Sequence, residues 1–277
     1  MSEQSNAITA RVSLGQDTRQ LLPEIIKSLE ANMKAETSEQ LKFVLLWQLT
    51  LATTAWDVSE AAIMIGSQGS VRAARLLNRC LSEYAYRTHQ YSSSPRRAEK
   101  DGLQAGAMAR KLMEPAALNL KRTMSDAEYA AFKAYLDAAP PALSFTKLRK
   151  MMNATLTRMG VKDTSREEFL AWLEVEYTLG SGMVHGSQVA LLDAFRKAEN
   201  DSFERGERSL HFQRQDELIR TAASLILLIA AIELYHGEDF GGRALVQRME
   251  HEFFGEHRLV TVWQHDALLP LLGVRRS

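Results

Sequence analysis

Apolar residues recur at helical spacing through most of this chain, whereas the period-two alternation of a half-buried strand is rare. Leu41, Leu45, Leu49 and Ala52 show that spacing within one segment. Ala, Leu, Met, Glu, Arg and Lys dominate long stretches, and the 277 residues include only 6 prolines, so helix is favoured almost throughout. The sequence therefore predicts an all-α fold of long antiparallel helices.

One domain is expected rather than two. Hydrophobic residues make up 45% of the chain, which is enough for a sizeable core. The best candidate boundary, Pro140-Pro141, separates apolar helices of similar composition. We predict a flexible N-terminal tail over residues 1–16 and a single helical domain over residues 17–277.

Capping and breaking residues predict where the first helices begin and end. Pro23 suits the first turn of a helix over residues 17–34, and Ser38 suits the N-cap of the next helix. Residues 66–70, Gly-Ser-Gln-Gly-Ser, end that second helix, and their last serine can cap a helix over residues 71–91. These two helices should form a hairpin.

Similar signals mark the later segments. Residues 125–128 and 165–168 have the sequence of capping boxes, each of which starts a helix. Ser144 begins another helix, which Gly160 ends. Residues 200–209 are charged and contain glycine, so they predict an exposed loop.

The most apolar segment predicts a buried helix, not a membrane span. Residues 222–234 contain Ser224 and are well short of the roughly 20 residues that cross a bilayer. The polar N-terminus lacks the apolar stretch of a secretory signal. Cys80 is the only cysteine, so no intramolecular disulfide is possible, and we expect it to be an ordinary buried thiol in a reducing compartment. A cytoplasmic protein with no membrane role is predicted.

Charge and motif content exclude several classes of site. Lys and Arg number 34, as do Asp and Glu, so the chain lacks the overall positive field of a protein that coats nucleic acid. Sequence-specific DNA binding is not expected. Glu233 and His236 have the Glu-x-x-His spacing of di-iron bundles, but the second copy that such a site requires is missing. With no zinc, calcium, Walker or dinucleotide motif, we expect no metal and no cofactor.

Three polar residues at four-residue spacing form the first candidate site. Tyr177, Ser181 and His185 would stack on one face of a helix. His185 is suited to general acid or base chemistry near neutral pH, and Ser181 and Tyr177 would orient it or hold a substrate oxygen. The alternative is a packed helix whose polar groups bond to their neighbours.

A charged stripe on the helix over residues 71–91 forms the second candidate site. Arg75, Arg79, Glu83 and Arg87 also follow one another at four-residue spacing. If the stripe lined a cleft, the guanidinium groups would suit phosphate or carboxylate recognition. The alternative is a solvated face with an Arg79–Glu83 ion pair of little energetic weight.

Together these two segments resemble a known group. A helix with Ala-x-x-Leu-x-Arg-x3-Glu-like spacing, here residues 74–83, followed by Tyr-x3-Ser-x3-His, here residues 177–185, is similar to a broad group of all-helical bacterial proteins of unknown function. That group looks distantly like the HEPN helical domains. The resemblance covers roughly residues 41–190.

The resemblance implies an activity. Active HEPN proteins are metal-independent ribonucleases, often toxins or phage-defence effectors, and they dimerise so that paired Arg and His residues meet the scissile phosphate. By analogy, Arg75 or Arg79 would hold the phosphate, His185 would move the proton of a ribose 2′-hydroxyl, and Glu83 would orient an Arg or His. An RNA substrate, a homodimer formed through an apolar helix face, and a partner protein that selects targets would follow.

The chain departs from the HEPN signature at its best histidine. That signature is an Arg followed after four to six residues by a His, and no Arg stands at that distance before His185. Residues 205–211 and 258–265 fit the spacing, but about two such matches are expected by chance. Two alternatives therefore remain open: a non-catalytic helical interaction or ligand-binding module, in which the same residues form a structural polar network, and a small-molecule hydrolase.

Overall fold

The computed structural model describes residues 3–103, 125–137, 145–163, 166–167, 170, 195–197, 203–205 and 210–251. The helices in these ranges are α1 (Glu3–Gln20), α2 (Leu22–Ala35), α3 (Glu39–Ser67), α4 (Val71–Ser93), α5 (Asp126–Asp137), α6 (Phe145–Arg158), α7 (Leu210–His236) and α8 (Gly242–Met249). Residues 95–103 are also helical. The predicted all-α class is confirmed.

A short antiparallel ribbon is the only strand structure among the described residues. Strands β1 (Phe195–Lys197) and β2 (Phe203–Arg205) pair with Phe195 opposite Arg205. Part of the loop predicted over residues 200–209 is therefore strand. The sequence did not predict β2, because three residues are too few to show an alternating pattern and because its partner strand β1 lies outside the predicted loop.

The N-terminal residues form a helix where a flexible tail was predicted over residues 1–16. Leu14 in α1 is fully buried, and a Cβ atom at Gly15 would lie only 3.2 Å from the Ile63 side chain, so the missing side chain permits close packing against α3. The helix predicted over residues 17–34 is interrupted by a turn at Leu21. Its first residues belong to the end of α1 and the rest form α2. Pro23 lies in the first turn of α2, where its missing N–H has no helical acceptor to lose.

Helices α3 and α4 form the predicted hairpin. The N–H of Leu41 donates to the Ser38 hydroxyl at 3.4 Å, which confirms Ser38 as the N-cap of α3. The turn contains Gly69 at φ 90°, a conformation that favours glycine. Ser70 precedes α4 as predicted, but its side chain makes no capping hydrogen bond.

The later boundaries are confirmed where the structure describes them. Ser125 and Glu128 form a reciprocal capping box at the start of α5, with N···O distances of 2.7 and 3.3 Å. Gly160, at φ 83°, follows the end of α6. Ser144 and the second predicted capping box over residues 165–168 lie outside or only partly within the described residues.

Helix α7 is the central element of the core. It contacts α1, α3, α4, α6 and α8, and its apolar side chains from Leu218 to Ile232 are buried. Within the described residues one helical stretch, Glu217–His236, is long and apolar enough to cross a membrane, but 89% of its most apolar 18 residues are buried inside the protein. It therefore has the burial of a core helix, which confirms the buried helix predicted for residues 222–234.

Candidate functional site

A line of buried hydrogen bonds joins α4 to α7. Arg75 bonds Glu217, and seven residues further along both helices Ser82 shares a 3.0 Å hydrogen bond with Ser224. Because both positions advance together, α4 and α7 run parallel, whereas α3 and α4 are antiparallel. We call this α4–α7 contact the polar seam; its side chains are Arg75, Asn78, Ser82 and His89 of α4, with Glu217, Arg220, Thr221 and Ser224 of α7.

The seam begins with an ion triad that solvent does not reach. Arg75 Nε lies 2.8 Å from Glu217 Oε1, and Arg220 Nη1 lies 2.6 Å from the same oxygen. The side chains of Arg75 and Glu217 are 2% and 0% exposed. A buried carboxylate is tolerated only when it is paired and hydrogen-bonded, so each arginine offsets the cost of burying Glu217.

Asn78 and Thr221 complete the coordination of that carboxylate. The Asn78 amide donates to Glu217 Oε2 at 2.9 Å and to the Glu217 carbonyl oxygen at 2.8 Å. The Thr221 hydroxyl in turn donates to Asn78 Oδ1 at 2.7 Å. Asn78, Thr221 and the Glu217 carboxylate therefore each meet partners of the opposite hydrogen-bonding kind, as a stable buried network requires.

His89 lies further along the seam and is also buried. Its ring hydrogen-bonds the backbone of Leu227, while among the described residues Nε2 has no hydrogen-bond partner. Burial lowers the pKa of His89 to about 4, although the bond to Leu227 acts in the opposite direction. The imidazole is consequently neutral at pH 7.

The outer side of α4 carries a second, partly exposed ion network. Glu83 accepts from Arg79 Nη1 at 2.9 Å, from Arg87 Nε at 3.1 Å and from Arg87 Nη2 at 2.8 Å. Burial alone would raise the pKa of Glu83, but the hydrogen bonds and charges of Arg87 and Arg79 outweigh it and lower that pKa. We call Arg79, Glu83 and Arg87 the outer triad.

Helical rotation explains why the predicted stripe divides into these two networks. A step of four residues turns about 400°, so a four-residue repeat drifts by about 40° at each step. A seven-residue repeat drifts by only about 20°, which keeps Ser82 and His89 on the face of Arg75. Along the stripe the side-chain exposure therefore rises steadily: Arg75 2%, Arg79 13%, Glu83 37% and Arg87 45%.

Of the predicted site residues, the structure describes Arg75, Arg79 and Glu83. Arg79 and Glu83 share an ion pair, whereas Arg75 points into the seam and contacts Glu217. Tyr177, Ser181 and His185 lie outside the described residues. Cys80, predicted to be buried, is exposed, because it lies one residue beyond Arg79 on the outer side of α4.

Most of the seam was not predicted from the sequence. Between Glu217 and Glu233, α7 is apolar apart from Arg220, Thr221 and Ser224. On α4, Ser82 and His89 follow Arg75 at seven-residue spacing, and Asn78 comes three residues after Arg75. Charged residues in an apolar helix, together with a matching heptad on another helix, were the available signal. A sequence does not show which two helices are neighbours, so the pairing needed the structure.

The Glu-x-x-His pair of α7 does not form a shared site. Glu233 Oε1 accepts from the N–H groups of Phe240 and Gly242, both at 2.9 Å, while His236 Nε2 hydrogen-bonds Gln48 at 2.9 Å. A Cβ atom at residue 242 would lie 2.7 Å from Glu233 Oε2, so a side chain there would displace the carboxylate from its present position. Across the part of the chain that the structure describes, no three His, Cys, Asp or Glu residues form a metal-binding group.

Comparison of the chain with known protein families, with curated proteins and with solved structures found no match. The resemblance to HEPN domains therefore stays a prediction from the sequence.

Proposed function

We propose that this protein is a metal-independent ribonuclease in which the outer triad binds a phosphate of the RNA. The observation that supports this is the pair of guanidinium groups, from Arg79 and Arg87, held on the single carboxylate of Glu83 at a partly exposed surface. Two arginines and one glutamate leave one net positive charge beside solvent. Guanidinium groups bind phosphate oxygens bidentately.

In the proposed mechanism His185 is the general base. It accepts the proton of a ribose 2′-hydroxyl as that oxygen attacks the adjacent phosphorus, and the 5′-oxygen leaves with a proton from water. Arg79 and Arg87 stabilise the negative charge that develops on the phosphoryl oxygens. Glu83 orients both guanidinium groups, while Tyr177 and Ser181 hold substrate oxygens. Arg75, which the sequence favoured as a phosphate ligand, stabilises the seam instead.

A second candidate function is a non-catalytic helical module. The observation that favours it is the buried Arg75–Glu217 pair, which gives one residue of the predicted site a purely structural partner. In such a module the seam holds α4 and α7 in register, and the outer triad is a solvated ion network. Thermal stability and RNA cleavage distinguish the two candidates, because they depend on different parts of α4.

The deciding experiment incubates purified protein with total RNA, tRNA and a single-stranded RNA oligonucleotide, in the presence of a chelator. The ribonuclease proposal predicts cleavage by the wild type, loss of cleavage in His185→Ala and strong reduction in Arg87→Gln, with unchanged thermal midpoints. Arg158→Gln is the matched control, since Arg158 is an exposed arginine of α6. Intact RNA in every wild-type reaction, with and without extract from phage-infected cells, would exclude the ribonuclease.

The proposed biological setting is a cytoplasmic toxin or phage-defence homodimer whose targets a partner protein selects. Growth of cells that express the wild type, beside cells that express His185→Ala, tests toxicity, and total RNA from both cultures tests its cause. Light scattering on the purified protein tests the homodimer. A monomer at micromolar concentration would contradict that part of the proposal.

A further inference from the structure

We infer that Tyr91 and Asp101 are positioning residues for Arg87, through a relay of hydrogen bonds from the helical residues 95–103 to the outer triad. The inference rests on the proposed function only for its effect on RNA; the relay itself is a matter of side-chain geometry. Its basis is one chain of contacts. Arg87 Nη1 donates to the Tyr91 hydroxyl at 3.3 Å, and that hydroxyl donates to Asp101 Oδ2 at 3.0 Å.

The chemistry of the three groups sets the direction of the relay. An ionised carboxylate only accepts hydrogen bonds and a guanidinium only donates them. The phenolic proton of Tyr91 therefore points to Asp101, and a lone pair of its oxygen is left for Arg87. A hydroxyl that donates to a carboxylate is also a better acceptor, because the two bonds polarise each other.

Packing holds the middle of the relay in place. Tyr91 is fully buried, and its ring stacks on Trp47 with centroids 5.0 Å apart and planes at 25°. The indole N–H of Trp47 donates to the Ala98 carbonyl at 2.9 Å, and Arg97 Nε bonds Asp101 at 2.9 Å. The Tyr91 phenol thereby ties residues 95–103 to α4, the Trp47 indole ties them to α3, and the ion pair with Arg97 holds Asp101 in place within the segment.

The relay gives Arg87 a single orientation. Nε and Nη2 bond Glu83, so only Nη1 is left for a third contact within the protein, and Tyr91 provides it. With all three nitrogens engaged, rotation about the guanidinium bonds is restricted. A guanidinium held in this way loses less entropy when it binds a phosphate than a freely rotating one.

The test measures the guanidinium directly by NMR of full-length protein with 15N-labelled arginine, with Arg87→Gln used to assign the signals. We expect distinct, slowly exchanging Nη signals for Arg87 in the wild type. Tyr91→Phe, which keeps the stacked ring, should average them; Asp101→Ala should do nearly the same, and Asp101→Asn, which keeps an acceptor oxygen, should have a smaller effect. Tyr84→Phe is the control, because Arg87 does not hydrogen-bond the Tyr84 hydroxyl.

A second measurement connects the relay to RNA. On the oligonucleotide cleaved by the wild type, Tyr91→Phe should lower kcat/KM about tenfold, as expected for the loss of one hydrogen bond to a charged group. Tyr84→Phe should leave kcat/KM unchanged. Unchanged Arg87 signals in Tyr91→Phe would overturn the relay, whatever the RNA result. If the wild type cleaves no RNA, the ribonuclease proposal fails, while the NMR measurement still decides the relay.

Discussion

The inner and outer sides of α4 carry the same residue types in opposite environments. On the inner side Arg75 meets Glu217 where neither is accessible to solvent, whereas on the outer side Arg87 meets Glu83 with both side chains more than a third exposed. In the seam an unmatched charge would be very costly, so every contact matters to stability. In the outer triad water screens the charges, so an Arg–Glu pair adds little to stability and stays in contact with solvent.

The largest effect should come from removing the acid of the seam. Glu217→Ala leaves Arg75 and Arg220 buried without their shared carboxylate, so we expect the free energy of unfolding to fall by about 3–5 kcal/mol. Urea denaturation at pH 7 measures it. Glu60→Ala is the control, since its pair with Arg19 is exposed and should be worth less than about 1 kcal/mol. Equal losses in the two variants would remove the distinction between buried and exposed pairs.

The next largest effect concerns acid stability. The pKa of His89 is about 4 in the folded protein, against the ordinary histidine value of about 6.5, so between these pH values the unfolded state binds a proton that the folded state does not. Stability should therefore fall as the pH decreases from 6.5 to 4, by about 3 kcal/mol from this residue. Below pH 4 both states are protonated and the contribution becomes constant.

Denaturation of the wild type and of His89→Leu at several pH values isolates that contribution. Other groups titrate in both proteins, so the difference between the two curves reports His89. The wild type should lose more stability than His89→Leu between pH 6.5 and 4. Parallel curves would mean that the imidazole can take up a proton in the folded protein, and the inner side of α4 would then be more hydrated than its contacts imply.

A smaller effect is expected from the neutral part of the seam. Ser82→Ala leaves the Ser224 hydroxyl buried without its partner, which should cost about 1–3 kcal/mol, whereas the double change Ser82→Ala with Ser224→Ala should be nearly neutral. Thermal unfolding of both single variants and the double variant completes a double-mutant cycle. Strict additivity of the two single changes would show that the hydroxyls do not depend on each other.

The smallest effect on stability should come from the outer triad. Glu83→Gln removes both ion pairs but leaves an amide that hydrogen-bonds, so the loss should be about 1 kcal/mol or less, and it should shrink further in 1 M salt. RNA binding should become stronger, because the triad loses a negative charge and its net positive charge increases. Fluorescence anisotropy with a labelled RNA oligonucleotide measures this. A loss as large as that of Glu217→Ala would give the two sides of α4 the same role.

Much of the fold follows from local patterns, and much of the site does not. The hairpin, the Ser38 cap, the capping box at Ser125 and the apolar α7 were predictable, because each depends on residues within a few positions of one another. The helix α1 was not: its sequence is polar, and its place in the structure depends on contacts such as that of Gly15 with Ile63. Residues distant in the chain bury this helix, and its own polar sequence does not indicate that burial.

The charged stripe shows where local pattern and tertiary structure separate. The four-residue spacing along α4 is visible in the sequence, and it predicts the ion pairs that Glu83 forms with Arg79 and Arg87 on neighbouring helical turns. The spacing does not predict which arginine is buried against protein and which is exposed to water. The parallel approach of α7 brings Glu217 to Arg75 from 142 positions away, and the rotation of the helix carries Arg87 out to solvent. Burial therefore divides one repeating pattern into a buried network and a solvent-exposed one.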